Sequence, residues 1–201
     1  MTETDTAELL RAAVERARNA SSDYDLNPGI VLPEGRKLRP AGVLVPVQVA
    51  EGVARLYLTK RSSALKHHPG QIAFPGGKQD PCDATITDAA LREAHEEIGL
   101  PRASVEVLGT LPTHETVTGF DVTPVIGLVR GPFTPIAEPG EVEEVFHVPL
   151  AHVLEAARYF VQSRRWRGTR RHYYTVPFGP YYIWGATARI LRTLADTATA
   201  R

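Results

Sequence analysis

Three glutamates within five residues, Glu93, Glu96 and Glu97, restrict the folding of this chain more than any other feature. They lie in the segment Arg92-Glu93-Ala94-His95-Glu96-Glu97-Ile98-Gly99-Leu100. On a helix, residues three and four apart share a face, so these carboxylates point together while Leu91, Ala94 and Ile98 turn toward the core. Each like-charged pair at that spacing costs a helix about 0.2–0.5 kcal/mol, and Arg92 is the one cation near enough in sequence to compensate. The helix is expected over 87–98, with Gly99 in the left-handed position at its end and Pro101 preventing continuation. A solvated acidic face is the alternative that composition alone supports. Gly76-Gly77 just upstream turns the balance, because backbone without a Cβ can approach a metal or a phosphate closely. A divalent cation with oxygen ligands would neutralise the carboxylates, and Mg²⁺ suits a site with few carboxylates, completed by waters and substrate phosphates.

The flanking sequence reads as strands interleaved with a few helices, which gives an α/β or α+β sandwich. Asp5, with Glu8 three residues on, opens a helix expected over 6–19. The stretch 21–40 holds Asn27-Pro28-Gly29 and Pro33-Glu34-Gly35 and reads as an irregular arm. Strands are expected at 43–49 and 54–59, joined as a hairpin through Ala50-Glu51-Gly52-Val53, and again near 104–111, 121–129 and 142–147. A short helix near 150–157, a hairpin over 159–176 around Arg167-Gly168-Thr169, and a last helix over 182–195 complete the chain. The domain expectation is an N-terminal helix and arm at 1–39 and one globular body at 40–201.

The 201 residues suffice for one substantial core, and 23 basic residues balance 23 acidic ones. With zero formal net charge, no long-range field draws the molecule to nucleic acid or an anionic membrane, so anion binding must come from local clusters. The N-terminal residues carry acids where a secretory signal needs bases, so a cytoplasmic protein is expected. Cys82 is the single cysteine, which excludes an intramolecular disulfide and a zinc site built on several thiolates. No neighbouring cation favours its thiolate.

The segment 92–100 resembles the second half of the Nudix box, in which Arg-Glu-aliphatic-any-Glu-Glu-any-Gly-aliphatic follows Gly, five residues, Glu and seven residues. Ala94 stands at the aliphatic place. From Gly77, five residues lead to Asp83 rather than Glu, and eight rather than seven separate Asp83 from Arg92, so the loop is one residue longer. The resemblance implies a Nudix-type α/β/α sandwich with a mixed β-sheet between helices. It implies that Glu93 and Glu97 hold Mg²⁺ or Mn²⁺, that Glu96 helps bind or orient a second ion, and that Arg92 orients the carboxylates. The Gly77 carbonyl is a further candidate ligand. The implied chemistry is attack of water, in line, on a diphosphate.

A longer run is similar to the coenzyme A pyrophosphatase branch of that family: Leu58-Thr59-Lys60-Arg61-Ser62 through Gly70, then Phe74-Pro75-Gly76-Gly77-Lys78-Gln79-Asp80, with Leu111-Pro112, Val117-Thr118-Gly119-Phe120 and Tyr182-Ile183-Trp184-Gly185 further on. That similarity implies cleavage of coenzyme A or its thioesters into 3′,5′-ADP and the 4′-phosphopantetheine portion. Lys60, Arg61 and Ser62, with Gly76 and Gly77, are the implied substrate-binding residues. Lys66, His67 and His68 extend the basic loop, and Arg61 is the favoured phosphate anchor because guanidinium binds phosphate bidentately. Glu141, beside Glu143 and Glu144, is the candidate late metal ligand or general base. The expected partner is a small nucleotide; nucleic acid is disfavoured, no membrane is implied, and a homodimer is left open.

The competing reading rests on Arg164, Arg165, Arg167, Arg170 and Arg171, flanked by Trp166, His172, Tyr173 and Tyr174. Arginines interleaved with aromatics can form a nucleic-acid platform, which would make the chain an RNA-end-processing enzyme or a binding module. At a hairpin tip, arginine also discourages edge-to-edge association. Contact with the coenzyme's 3′-phosphate is a third role for this cluster. A hydrolase of ADP-ribose or NADH would share the metal site and differ in substrate recognition alone.

Overall fold

A computed structural model describes residues 1–66, 68–166 and 168–199; His67 and Arg167, both in the basic segments singled out above, lie outside the described residues. The elements run α1 (Glu3–Arg16), β1 (Ser21–Ser22), β2 (Arg39–Ala50), β3 (Val53–Arg61), β4 (Ile72–Ala73), β5 (Gly76–Lys78) and α2 (Ile86–Ile98). After a 3₁₀ turn come β6 (Val105–Thr110), β7 (His114–Glu115), β8 (Phe120–Val129), β9 (Val142–Pro149) and α3 (Leu150–Leu154). A second 3₁₀ turn leads to β10 (Phe160–Trp166), β11 (Thr169–Thr175) and α4 (Gly185–Thr199).

Strand β2 is the spine of a mixed sheet. It runs parallel to β8 from the Arg39↔Phe120 pair to Gln48↔Val129, and antiparallel to β3 and β5. The apolar run Val43-Leu44-Val45 explains its central place, because a strand covered on both faces needs apolar residues on both. Leu44 packs with Ala90, Ala94 and Ile98 of α2, whereas Val45 and Val47 pack with residues of α1, α3 and α4. One helix therefore covers one face and three the other, the α/β/α sandwich expected from the sequence. None of the described helices is long and apolar enough to cross a membrane.

The β2–β3 hairpin turns at Glu51 and Gly52, both at positive φ (54° and 74°), as the right-handed twist of the flanking strands demands. Several boundaries differ from expectation; α3 ends at Leu154 rather than near 157, and α4 runs on to Thr199 rather than 195. Helix α1 starts earlier because Thr2, not Asp5, is its cap: the Thr2 hydroxyl accepts from the Asp5 amide and the Asp5 carboxylate accepts from the Thr2 amide, both at 3.0 Å. It also ends earlier, at Arg16, so that the chain can extend into β1. The arm that follows is anchored: Ser21 pairs in parallel with His114, and the fully buried His114 ring bonds Ser21 Oγ at 2.9 Å and Asp23 Oδ1 at 3.1 Å. Helix α4 begins at Gly185 rather than near 182, because the Val176 amide bonds the Ile183 carbonyl and Phe178 pairs with Tyr181. Those bonds hold 176–184 as a folded-back strap.

Helix α2 approaches the sheet through Gly42. A Cβ there would stand 2.4 Å from the Ile86 carbonyl oxygen and 3.1 Å from the Ala90 amide nitrogen. Gly42→Ala is therefore expected to push α2 off the sheet and lower stability by about 1–3 kcal/mol, as overpacked cores do. A urea midpoint that matches the parent protein would show that the contact can relax freely.

Candidate active site at the carboxylate helix

Helix α2 is fixed at both ends, and this sets where its carboxylates lie. Thr85 and Asp88 form a reciprocal capping box at the start, and Gly99 closes the end at φ 69° and ψ 18°. The segment after β8 then caps the last turn, with the Ile136 amide bonding the Ile98 carbonyl and the Glu138 amide bonding the Glu97 carbonyl, each at 3.0 Å. That loop leads straight into Glu141.

Glu97 is buried, 4% exposed, and its carboxylate accepts a hydrogen bond from the Gly76 amide at 3.0 Å. Burial pushes its pKa up to about 8; the Gly76 amide and the charge of Arg61 pull it down, and neighbouring Glu93 and Glu141 push it up further. Glu93 is also raised, first by burial, against the pull of Arg92 and with the repulsion of Glu96 and Glu141. Four carboxylates thus share one electrostatic neighbourhood. Gly77 makes room for them: a Cβ there would stand 2.6 Å from Glu93 Oε1, and one at Gly76 would stand 2.4 Å from the Gly42 carbonyl oxygen. Both glycines are required by close approach, and Gly76, at φ 153°, also by backbone conformation.

Arg92 is the hub of the compensating charge. Its guanidinium donates to Glu93 Oε1 at 2.9 Å and Glu96 Oε2 at 3.0 Å, and to both oxygens of Asp83 at 3.0 Å. The Lys78 carbonyl accepts from it at 3.2 Å. Asp83, whose side chain is 3% exposed, is held below the usual carboxylate range by Arg92 and by the Asp80 amide. The sequence places this residue where the motif has glutamate but gives it no role, since eight rather than seven residues separate it from Arg92. The signal was an acid six residues beyond Gly77, and the longer loop still delivers it to Arg92.

The basic residues divide. Lys60 is paired with Glu143 at 2.6 Å across β3 and β9. Arg61 is partly buried, its charge acts on Glu97, and its Nε is buried without a hydrogen-bond partner among the described residues. A guanidinium whose charge lies against these carboxylates is of the kind that pairs with phosphate. Ser62 ties its amide to the Glu141 carbonyl at 2.8 Å, which joins the basic loop to the late glutamate. Cys82 is exposed and apart from this chemistry.

The donor set is made of hard oxygens, which fits Mg²⁺ or Mn²⁺ rather than a softer metal. Among the described residues no three acidic, histidine or cysteine side chains already converge as a ligand shell. Glu96 is turned to Arg92 and Glu97 to the Gly76 amide, so the carboxylates would exchange these bonds for a cation. A cavity of about 390 Å³, whose lining includes none of these carboxylates, is bounded by Lys60, Gly70, Ile72, Glu144, Tyr181, Tyr182 and Trp184 on the sheet face that carries Leu58 and Phe146. Tyr181 stacks on Phe146 with ring centroids 3.6 Å apart and donates to Glu144 at 2.5 Å.

A family model described as NUDIX domain matches residues 38–170. The chain is 45% identical over 163 residues to an uncharacterized Nudix hydrolase, NudL, of Klebsiella pneumoniae, covering 81% of this chain and 84% of the relative. The NudL of an Enterobacter species is 44% identical over 157 residues, covering 78% and 81%. Among solved structures, the NUDIX domain of Shewanella oneidensis NrtR, a complex with ADP ribose, superposes with a TM-score of 0.52 at 16% identity over 86% of this chain and 96% of that one. A MutT/nudix family protein from Enterococcus faecalis gives 0.52 at 18% identity over 83% of this chain and 64% of that one. Both superpositions show the same fold.

Replacing Asp83 by Asn should lower the thermal midpoint at neutral pH by unpinning Arg92. Because the Asp83 pKa is depressed in the folded protein, the stability it contributes is full above the ordinary aspartate pKa and is lost as pH falls through the depressed one. The gap between parent and variant should therefore close in acid. A gap independent of pH would disprove the ion pair's part in stability.

Proposed function

Because this chain belongs to the NUDIX family and is a hydrolase of a nucleoside diphosphate derivative, we propose that its substrate is coenzyme A or one of its thioesters, cut into 3′,5′-ADP and 4′-phosphopantetheine or its acyl form. The observation that carries the catalytic part is the pairing of half-buried Glu93 with buried Glu97, crowded behind Gly76 and Gly77. The substrate part is supported by the branch-like run from Leu58 to Asp80, which carries Arg61, whose charge acts on Glu97, and sets Gly77 against Glu93.

In this reading Glu93 and Glu97 bind Mg²⁺ or Mn²⁺, Glu96 serves a second ion, and the Gly77 carbonyl is a further ligand. The ions supply positive charge against the diphosphate and acidify the attacking water. Arg92 keeps Glu93 and Glu96 in place while anchored on Asp83. Arg61 offers its guanidinium charge to a phosphate, and Glu141, electrostatically coupled to Glu93 and Glu97, takes the water's proton. The water oxygen bonds to phosphorus, and the bridging oxygen leaves with the other phosphate. Lys60 acts as a wall of the cavity through its pair with Glu143, and Ser62 fixes the loop. The body at 40–201 does this chemistry, the arm at 1–39 buttresses it, and a free nucleotide substrate places the work in the cytoplasm.

Incubation with coenzyme A, ADP-ribose, NADH and capped RNA, each with Mg²⁺ and with Mn²⁺, followed by mass analysis, should release 3′,5′-ADP from coenzyme A. Activity confined to another substrate would reject the coenzyme reading. Glu97→Gln and Glu93→Gln should each lower turnover by roughly a hundredfold or more, since even residues behind metal ligands cost about 10–100-fold, and chelation should abolish it. Retained turnover in a folded variant would remove these residues from the mechanism.

A further inference from the structure

Strand β9 falls out of step with β3 where Lys60 gives way to Arg61. The ladder pairs Thr59 with Val145 and Lys60 with Glu144, then Arg61 with Val142, so Glu143 is an extra residue with no partner opposite it. A bulge of this kind bends the strand and re-aims its side chains. In an unbroken ladder Glu143 would stand opposite Arg61, and, two residues from Val145, it would face α2 as Val145 does. A further carboxylate would then join Glu93, Glu97 and Glu141 and take the Arg61 guanidinium as its partner.

The bulge hands that place to Val142, which is buried, and turns Glu143 to Lys60, whose Nζ donates to Glu143 Oε1 at 2.6 Å. Lys60 alternates with Arg61 along β3 and so belongs to the face that carries Leu58. Glu143 is held below the usual carboxylate range, first by its bond to Lys60 and further by Ser63, and Glu143 in turn raises Lys60, so the pair stays ionised at neutral pH. Glu144 is engaged separately, by the Tyr181 hydroxyl at 2.5 Å. Among the described residues no carboxylate is in ion-pair contact with Arg61, and the charge of Arg61 acts on Glu97.

We infer that Lys60 is a positioning residue that holds Glu143 away from Arg61, so that the guanidinium stays available to the substrate's diphosphate. Lys60 acts through Glu143 and touches no substrate. This rests on the reading of Arg61 as phosphate anchor given above.

The test compares kcat and KM of full-length variants with coenzyme A and Mg²⁺, or with ADP-ribose or NADH where that is the compound cleaved. Lys60→Met releases the Glu143 carboxylate to Arg61, and KM should rise roughly two- to fivefold, the scale of a partly exposed ion pair, with kcat little changed. Lys60→Gln should behave alike, and Lys60→Arg should keep the parent KM. Glu143→Gln removes the competing charge and should also leave KM at the parent value. Combining Lys60→Met with Glu143→Gln should return KM to that value, a rescue that neither direct binding by Lys60 nor a general role in stability would produce. Thermal midpoints record that each variant folds. An unchanged KM in Lys60→Met and Lys60→Gln, an equal rise in Glu143→Gln, or a rise that persists in the double variant overturns the assignment while leaving hydrolysis standing. Arg61→Gln should raise KM by roughly tenfold or more; no rise there overturns the anchor reading and this assignment with it. Cleavage of none of the three compounds overturns both, together with the proposed function.

Discussion

The contact on which the site depends is the packing of α2 against the glycines of β2 and β5. Gly42 admits the helix backbone, Gly76 offers its amide to Glu97, and Gly77 leaves room for the Glu93 carboxylate. These approaches force two acids into a partly desolvated corner where their charges repel, and burial moves the Glu97 pKa to about 8. A helix face that served solubility alone would not bury its carboxylates in this way. The cost is carried by Arg92, which binds Asp83, Glu93 and Glu96 at once, and the remaining imbalance is what a divalent cation relieves.

The long-range parts of the fold support this corner rather than surround it passively. The loop after β8 uses the last carbonyls of α2 to carry Glu141 toward the buried pair, and the Ser62 amide ties that glutamate's backbone to the basic loop. The strap at 176–184 lines a cavity with Tyr181, Tyr182 and Trp184, and the β10–β11 hairpin braces that strap through Tyr173.

Much of this was legible in the residues because local rules decided it. The spacing of Glu93, Glu96 and Glu97 with Gly99 behind them defined α2 almost to the residue, and Glu51-Gly52 marked the hairpin turn. The N-terminal helix was misplaced because Asp5 reads as its cap in sequence, whereas Thr2 is the cap and Asp5 bonds back to it. What sequence spacing could not show was tertiary pairing. Asp83 looked displaced by one residue, yet the longer loop returns it to Arg92; Lys60 looked like a free anchor, yet Glu143 claims it from another strand. His114, which joins the arm to β7, carried no pattern that local reading could detect.

The most direct measurement is anomalous diffraction from crystals grown with Mn²⁺. The account requires a manganese peak within coordinating reach of both Glu93 and Glu97, with the Glu97 side chain drawn off the Gly76 amide. A map in which those two carboxylates keep their bonds to Gly76 and Arg92, and manganese is bound elsewhere or nowhere, would contradict it.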